Sequence, residues 1–222
     1  MTHQSENKIC QNCKKDFTIE SEDFNFYEKV KVPAPTFCPL CRAQRRLAFR
    51  NERKLFKIQD AFSGKEIFST YPKESGRKII ERSTWLGDTW DAMEYGQDYD
   101  STRSFWEQLH KLEMKVPMYN FNVIGMINSP YSFNASRLKN SYLLCNSNDS
   151  EDCMYGNAVD NSKDCVDNSH INNSERCYEC FWITKCYQCY FTARTHDSRN
   201  MWFCRGCVGC NDCFGCVNVN KA

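Results

Sequence analysis

Hydrophobic and small side chains recur at fixed positions in the C-terminal part of the chain, from Met126 to Lys221. Written in rows of twelve residues, this stretch forms eight rows whose columns agree. The fourth column holds small or sulfur-containing residues: Ser129, Ser141, Cys153, Cys165, Cys177, Cys189, Met201 and Cys213. The fifth column is mostly aromatic or apolar: Pro130, Tyr142, Met154, Val166, Tyr178, Tyr190, Trp202 and Phe214. A short fixed period is typical of a solenoid, in which each repeat stacks on the previous one.

Columns one, four, seven and ten of these rows are the candidate inward positions, because they hold 11 of the 12 cysteines that follow residue 125. A straight strand alternates with period two, so side chains three residues apart point the same way only if the backbone turns between them. The pattern therefore predicts a narrow parallel β-solenoid over residues 126–222, with one twelve-residue coil per turn. Eight coils about 4.8 Å apart would form a rod of roughly 40 Å.

A wider β-helix with two rows in each turn is the alternative architecture, and it is disfavoured because odd and even rows do not differ. The columns resemble the twelve-residue coils of the insect β-helical antifreeze proteins, which also place cysteines inward at three-residue spacing. This resemblance implies a shape alone, since the outward column here is aromatic and not a threonine ladder. The repeat stops at Ala222 without a polar cap, which predicts either end-to-end pairing of rods or further chain beyond this residue.

Cysteine pairs three residues apart occur throughout the repeat, but this spacing arises automatically when every third residue points inward. We therefore expect a core of reduced thiols, in which free cysteine acts as a small apolar residue. A metal or a disulfide remains the alternative for one group: Cys204, Cys207, Cys210, Cys213 and Cys216. Sixteen cysteines without an export signal or a bilayer-length apolar run predict a cytoplasmic protein with no membrane segment. A secreted, disulfide-linked rod is the alternative.

The N-terminal cysteines have no periodic explanation. Cys10-Gln-Asn-Cys13 and Cys38-Pro-Leu-Cys41 are separated by 24 residues, and two such pairs can supply four thiolates to one tetrahedral zinc ion. The residues between the pairs are typical of a short hairpin or turn segment, and the second pair opens a helix. The sequence therefore predicts a small module over residues 1–57 with zinc as its cofactor.

Residues 8–57 resemble the probable zinc-ribbon (treble-clef) family, whose members combine two CxxC pairs, an aromatic middle segment and a basic helix. The features that carry the resemblance are Phe26-Tyr27, Pro35, Cys38-Pro39-Leu40-Cys41-Arg42 and Arg45-Arg46. The whole chain is similar to long, uncharacterised, cysteine-rich zinc-ribbon proteins from uncultured bacteria. The resemblance implies a treble-clef fold and four zinc ligands, Cys10, Cys13, Cys38 and Cys41, but it implies no activity.

The helix predicted over residues 42–57 is basic, with seven Lys and Arg residues against the single acid Glu52. Leu40, Ala43 and Leu47 are expected to pack on one side of it. Unpaired guanidinium groups in a row suit phosphate oxygens. We therefore hypothesise that this helix binds nucleic acid, RNA more than DNA, through five arginines: Arg42, Arg45, Arg46, Arg50 and Arg53. The alternatives are a solvated face or a contact with the acidic middle region.

Residues 58–125 form this middle region, which carries 11 Asp and Glu against 8 Lys and Arg. Two Ser-Gly turns between β-rich runs predict a three-stranded meander, and an acidic aromatic loop is expected to cover a sheet. A helix follows, with a buried stripe of four residues: Phe105, Leu109, Leu112 and Val116. The chain is thus expected to be mainly β with a small α+β part, in three domains, 1–57, 58–125 and 126–222.

The sequence contains no phosphate loop, nucleophile elbow or histidine placed beside an inward thiol, so we expect no catalytic residues and no enzymatic activity. The outward aromatic column is a candidate interface, for a protein partner or for unpaired bases, and its members are Tyr178, Tyr190, Trp202 and Phe214. The sequence thus predicts a cytoplasmic, zinc-dependent binding protein that contacts RNA or a ribonucleoprotein such as the ribosome. A protein–protein scaffold without nucleic-acid binding is the alternative.

Overall fold

The computed structural model describes residues 4–48, 51 and 53–221, which belong to two compact units, Met1–Asn51 and Glu52–Ala222. We call them the N-terminal unit and the C-terminal unit. The predicted nucleic-acid contact Arg50 lies outside the described residues. Among the helices of the described residues, none combines the length and the apolar character that crossing a membrane requires.

The N-terminal unit consists of one hairpin followed by two helices. In chain order the elements are β1 (Glu6–Ile9), β2 (Asp16–Ile19), α1 (Ser21–Lys29) and α2 (Pro39–Leu47). The two strands pair antiparallel, with Ile9 opposite Asp16 beside the turn. α1 begins where Glu20 and Asp23 form a capping box, which satisfies amide groups that a first helical turn leaves unpaired.

The order of elements in this unit differs from the expectation in two respects. The segment between the two cysteine pairs contains helix α1, because the hairpin strands lie on either side of the first pair. The basic helix ends at Leu47 and does not continue to residue 57. Residues 56–59 instead pair as a strand, so tertiary pairing outweighs the local helix propensity.

Two leucines of α2 that were expected to pack against the module are exposed. Leu40 is 82% exposed and Leu47 is 60% exposed, while Ala43 is partly buried. Both leucines therefore contribute little to the core of the unit.

The C-terminal unit begins with short strands and helices. They are β3 (Phe56–Gln59), β4 (Glu66–Ser69), β5 (Ile79–Ile80), α3 (Arg82–Trp85), α4 (Phe105–Lys115) and β6 (Met118–Tyr119), with 3₁₀ turns at Lys73–Ser75 and Ala92–Tyr95. β3 and β4 form an antiparallel hairpin, whereas β5 pairs in parallel with β6. The expected meander of three consecutive strands is therefore a hairpin plus a separate two-stranded ladder. Ile58, Ile67 and Ile79 form the core of this region.

The acidic aromatic loop packs onto the end of α4. The indole N–H of Trp85 donates to the Pro117 carbonyl at 3.1 Å, and that of Trp90 donates to the Trp85 carbonyl at 3.0 Å. The stripe on α4 is less buried than expected, because Phe105 is 50% exposed and Leu109 and Leu112 are only partly buried.

The rest of the chain is the solenoid. Its strands are β7 (Val123–Ile124), β8 (Ala135–Ser136), β9 (Asn157–Asp160), β10 (Ser169–Asn172), β11 (Phe181–Thr184), β12 (Tyr187–Tyr190), β13 (Ala193–His196), β14 (Arg199–Trp202) and β15 (Asn211–Phe214), and isolated β-bridges lie between them. Each described pairing among them is parallel and joins residues twelve apart, such as Ile171 with Ile183 and Met201 with Cys213. This register gives one coil per twelve residues, so the narrow solenoid of about eight turns is confirmed and the wider helix is excluded.

The interior of the solenoid follows the predicted columns. Every third residue from Ser129 to Cys213 is buried, without exception. Cys145 lies outside these columns and is buried as well. The core is therefore a thin stack of small, sulfur-containing and aliphatic side chains along the axis of the coils.

Each coil turns at every third residue, and the residues at these corners have a left-handed backbone conformation. Every third residue from Gly125 to Lys221 has a φ between 44° and 68°. That conformation is costly for most residues but is tolerated by Gly, Asn and Asp, which occupy 18 of these 33 positions. Each coil therefore has four sides of three residues, and the corner residue directly precedes the inward one.

Candidate metal centre

Four cysteine side chains converge in the N-terminal unit. Cys10 follows β1, Cys13 lies in the hairpin turn, Cys38 is the N-cap of α2, and Cys41 is in its first turn. All four Sγ atoms lie within 4.8 Å of one another. The Sγ atoms of Cys13 and Cys38 are 3.8 Å apart, which is about the edge of a tetrahedron with Zn–S bonds of about 2.3 Å. The residues present therefore fit a tetrahedral thiolate-bound metal ion.

Backbone hydrogen bonds shape the loop that carries the first pair. The Cys10 amide donates to the Lys15 carbonyl at 2.9 Å, and the Lys14 amide donates to the Cys10 carbonyl at 3.0 Å. Lys14 adopts a left-handed conformation with φ 60°, which reverses the chain. The Cys38 amide at the start of α2 donates to the Cys10 Sγ at 3.2 Å, where the helix dipole also favours negative charge.

The cluster combines thiols whose ionisation is favoured with thiols whose ionisation is opposed. Burial opposes ionisation of Cys10, but hydrogen bonds from the amides of Cys38, Cys13 and Asn12 outweigh it and lower its pKa to about 6. The Asn12 side chain favours ionisation of Cys41, yet burial and the neighbouring sulfur atoms together raise its pKa to about 11. Four adjacent thiolates repel one another, and a divalent cation between them would remove that repulsion.

Asn12 also contributes to this centre, although it is not among the residues that the sequence predicts for the site. Its side-chain Nδ2 donates to the Cys41 Sγ at 3.3 Å, so it links the hairpin turn to the helix through the cluster. The available signal was its position between the two cysteines of the first pair. Phe17 and Phe37 pack against the buried cysteines of the cluster, Cys10, Cys38 and Cys41, whereas Cys13 is exposed.

The structure brings together only part of the predicted nucleic-acid site. Arg42, Arg45 and Arg46 lie on α2, whereas Arg53 belongs to the C-terminal unit and precedes β3. Arg42 is partly buried and donates from Nη1 to the Tyr27 hydroxyl at 3.4 Å. Arg45 is exposed and its guanidinium lies 5.9 Å from the centre of the Phe37 ring. A continuous stripe of arginines along one long helix is therefore not formed.

The solenoid cysteines are placed differently. In the part of the chain that the structure describes, the four N-terminal cysteines are the one group of three or more candidate ligands that converges on a point. Cys204, for example, directs its Sγ to the Trp202 carbonyl at 3.2 Å. Burial raises the pKa of Cys204, and it raises that of Cys213 to about 11, so both remain neutral thiols at neutral pH.

The predicted interface residues form a continuous column on one outer side of the solenoid. Tyr178 pairs with Tyr190, which pairs with Trp202, which pairs with Phe214 on successive coils. The Tyr190 and Trp202 rings stack with centres 4.2 Å apart, and Phe191 and Phe203 stack beside them at 5.0 Å. Trp202 is 43% exposed and Phe214 is 76% exposed.

Compared with known proteins, the chain matches neither a family model nor a curated protein. The comparisons therefore do not support the zinc-ribbon resemblance, and the geometry of the four cysteines shows a possible metal site only.

Proposed function

We propose that Cys10, Cys13, Cys38 and Cys41 bind one structural zinc ion and that the N-terminal unit is a zinc ribbon of the treble-clef type. The observation that carries this proposal is the convergence of four sulfur atoms from a hairpin turn and a helix N-terminus. Four thiolates in a tetrahedral arrangement favour zinc over hard cations such as magnesium or calcium.

The small size of the unit supports a structural role for the metal. Besides the cysteines, the buried apolar side chains described in this unit are Ile19 and Phe24. A core this small cannot compensate for the conformational entropy of about fifty residues. Bound zinc would supply the missing free energy of folding.

Native mass spectrometry tests the metal assignment. Each chain is expected to carry one zinc ion, which is lost on treatment with a strong chelator or on Cys38→Ser substitution. The matched control Cys165→Ser removes a solenoid thiol and is expected to leave the zinc in place. A metal-free native chain, or loss of zinc in the control variant, would contradict the assignment.

The metal centre also positions a basic surface, and we propose that this surface contacts RNA. Arg45 and Arg46 lie in the last turn of α2, are exposed, and form no ion pair with any described residue. α2 itself carries no acidic side chain. Guanidinium groups held on a metal-anchored helix can donate two hydrogen bonds to one phosphate.

Measuring RNA affinity as a function of salt tests this contact. The double variant Arg45→Glu, Arg46→Glu is expected to bind single-stranded RNA more weakly and to reduce the salt slope by about 1 to 2 units. The control Lys15→Glu, Lys29→Glu makes the same charge change at exposed positions outside α2 and should bind nearly as wild type. Equal losses in both variants, or no salt dependence in the wild type, would contradict the proposal.

A protein–protein scaffold is the second candidate function, and the aromatic column favours it. Because Tyr190 stacks on Trp202 and Phe191 stacks on Phe203, each of these four rings has one face covered by its neighbour. Unpaired bases need open ring faces, whereas a protein surface can pack on ring edges. A photo-crosslinking amino acid at position 214 should therefore capture protein in cells, and capture of RNA alone would contradict this candidate.

The cellular setting of the proposal is the cytoplasm, where thiols remain reduced. The proposal assigns no catalytic step to any residue. The proposal has two parts. The N-terminal unit binds RNA, and the solenoid docks a protein partner.

A further inference from the structure

The β3–β4 hairpin of the C-terminal unit repeats the metal-bearing β1–β2 hairpin at a constant offset of fifty residues. Glu6 pairs with Ile19 in the first hairpin, and Phe56 pairs with Ser69 in the second. At the turn, Ile9 pairs with Asp16, and Gln59 pairs with Glu66. Strand register and loop length are thus the same, although the loop sequences CQNCKK and DAFSGK share only their last residue.

The turns of the two hairpins have the same hydrogen bonds. The Cys10 amide donates to Lys15, and the Asp60 amide donates to Lys65. The Lys14 amide returns to the Cys10 carbonyl, and the Gly64 amide returns to the Asp60 carbonyl. The fifth loop residue is left-handed in both hairpins, with φ 60° at Lys14 and φ 70° at Gly64.

Each hairpin is joined in the same way to a helix that follows it. The Gln11 amide donates to Thr36, two residues before the N-cap of α2, at 3.0 Å. The Ala61 amide donates to Ile79, two residues before the N-cap of α3, at 2.8 Å. The two N-caps are Cys38 and Glu81, so these residues occupy equivalent positions.

Asp60 occupies the position of Cys10 in this comparison. Three amides surround Cys10, those of Asn12, Cys13 and Cys38. Three amides at the equivalent positions donate to the Asp60 carboxylate: Phe62 at 2.9 Å, Ser63 at 2.7 Å and Glu81 at 2.7 Å. Asp60 is 4% exposed, so an anionic side chain is buried among the same amide donors in both hairpins.

We infer that residues 56–85 are a metal-free counterpart of the metal knuckle, in which the Asp60 carboxylate replaces the Cys10 thiolate and joins the hairpin to the helix without a metal ion. By the same correspondence, Ser63, Glu81 and Thr84 stand where Cys13, Cys38 and Cys41 stand in the first copy.

The difference in chemistry explains why one copy needs a metal and the other does not. A thiolate accepts weak hydrogen bonds, so the first copy needs a cation to hold its turn to α2. A carboxylate accepts strong charge-assisted hydrogen bonds from the three amides directly. The second copy also has the apolar core of Ile58, Ile67 and Ile79 beneath it, which the first copy lacks.

Grafting the ligands into the second copy tests the correspondence. The variant Asp60→Cys, Ser63→Cys, Glu81→Cys, Thr84→Cys is expected to bind two cobalt(II) ions per chain where the wild type binds one. Both ions should show the visible absorption of tetrahedral cobalt thiolate. A control that adds four cysteines beside these positions, Ala61→Cys, Phe62→Cys, Arg82→Cys, Ser83→Cys, should bind one. A quadruple variant that is folded and binds only one ion would overturn the inference.

A milder variant covers the case in which the quadruple variant does not fold. Ser63→Cys, Thr84→Cys keeps Asp60 and its three hydrogen bonds. Its two new thiols should be joined to each other by a short thiol-specific crosslinker, as identified by peptide mass spectrometry. Absence of this crosslink in the folded variant would show that the two positions do not face each other and would overturn the inference.

A metal-independent measurement separates this inference from the proposed zinc site, on which the grafting experiment depends. Asp60→Asn should speed amide hydrogen exchange at Phe62, Ser63 and Glu81 on the order of tenfold, because a charge-assisted acceptor is lost. Unchanged exchange would overturn the role of Asp60. A wild-type chain that binds no cobalt would instead count against the zinc proposal and leave the Asp60 result unaffected.

Discussion

Cysteines three residues apart occur in both units of this protein, and the backbone between them gives them opposite roles. In the N-terminal unit the chain reverses at a hairpin turn and at a helix N-terminus, so four Sγ atoms approach within 4.8 Å. In the solenoid each three-residue step is one side of a coil, so successive sulfur atoms enter the core from different sides. Cys177 and Cys180, for example, are three residues apart, and each directs its thiol to the carbonyl group two residues earlier. The CxxC spacing indicates a metal site only when the backbone folds both residues toward one point.

The solenoid has its own requirement for side chains with lone pairs. Each three-residue side of a coil has three backbone amides, and two of them donate to carbonyl groups of neighbouring coils. For example, the Ile127 amide donates to the Leu138 carbonyl, and the Asn140 amide donates to the Ile127 carbonyl. The amide of the inward residue points into the core. Ser129 Oγ accepts a hydrogen bond from the Ser141 amide at 3.0 Å, and Asn168 Oδ1 accepts one from the Cys180 amide at 2.8 Å. Serine, asparagine and cysteine are therefore favoured inside because a buried amide needs an acceptor.

Metal removal should give the largest difference between the two regions. Chelation is expected to unfold the N-terminal unit, because metal binding contributes on the order of 10 kcal/mol to the folding of small zinc modules. Alkylation followed by peptide mass spectrometry should then label Cys10, Cys13, Cys38 and Cys41. The half-buried Cys216 should react with or without chelator. New labelling of Cys177 or Cys189 after chelation would mean that a metal also holds the solenoid.

Acidification should give the second largest difference between the two regions, because it protonates the thiolates that bind the metal in the N-terminal unit. Lowering the pH from 7 to about 4 is expected to bleach a cobalt-loaded N-terminal unit, because protons compete with metal for the ligands.

The solenoid is expected to lose stability at high pH instead. Burial raises the pKa of Cys213 from 9.0 to about 11, so the neutral thiol contributes stability below pH 9 that is lost as pH rises toward 11. Circular dichroism of the solenoid between pH 7 and 11 checks this sign, and loss of structure at pH 5 would contradict it.

Removal of one core acceptor tests the amide requirement of the solenoid. Asn168→Leu leaves the Cys180 amide buried without a partner, so the free energy of unfolding should fall by about 1 to 3 kcal/mol. Asn168→Ser keeps an oxygen on the same column and should lose less. Urea denaturation measures both variants. A leucine variant as stable as wild type would show that the inward amide needs no side-chain acceptor.

The smallest expected effect is the difference in stability between serine and alanine replacements at a solenoid cysteine. The amide of Cys177 donates to Cys165, and serine occupies the same column at Ser129 and Ser141. Cys165→Ser should therefore be more stable than Cys165→Ala by about 1 kcal/mol, since it retains an acceptor. At Cys38 the two replacements should be equivalent, because both remove a metal ligand. Thermal unfolding measures the solenoid pair, and metal content measures the Cys38 pair.

The repeat region and the cysteine cluster could be predicted because both are encoded by spacing. The inward columns place cysteine or another small or apolar residue at every third position, whereas the left-handed conformation of the corner residues is a backbone property that the column pattern does not predict. The end of α2 at Leu47 could not be predicted, because residues 48–57 have good helix propensity and the pairing partner of Phe56–Gln59 lies further along the chain. The predicted extension of the basic helix to residue 57 is wrong for the same reason.

The sequence by itself determined the twelve-residue coil, the direction of its side chains and the four candidate metal ligands. These properties depend on local periodicity, which the side chains record directly. The tertiary structure decided where the basic helix stops, that β5 pairs with β6, and that Asp60 stands in the place of Cys10. Those features depend on backbone amides and carbonyls that every residue carries, so side-chain identity alone does not reveal which of them will meet.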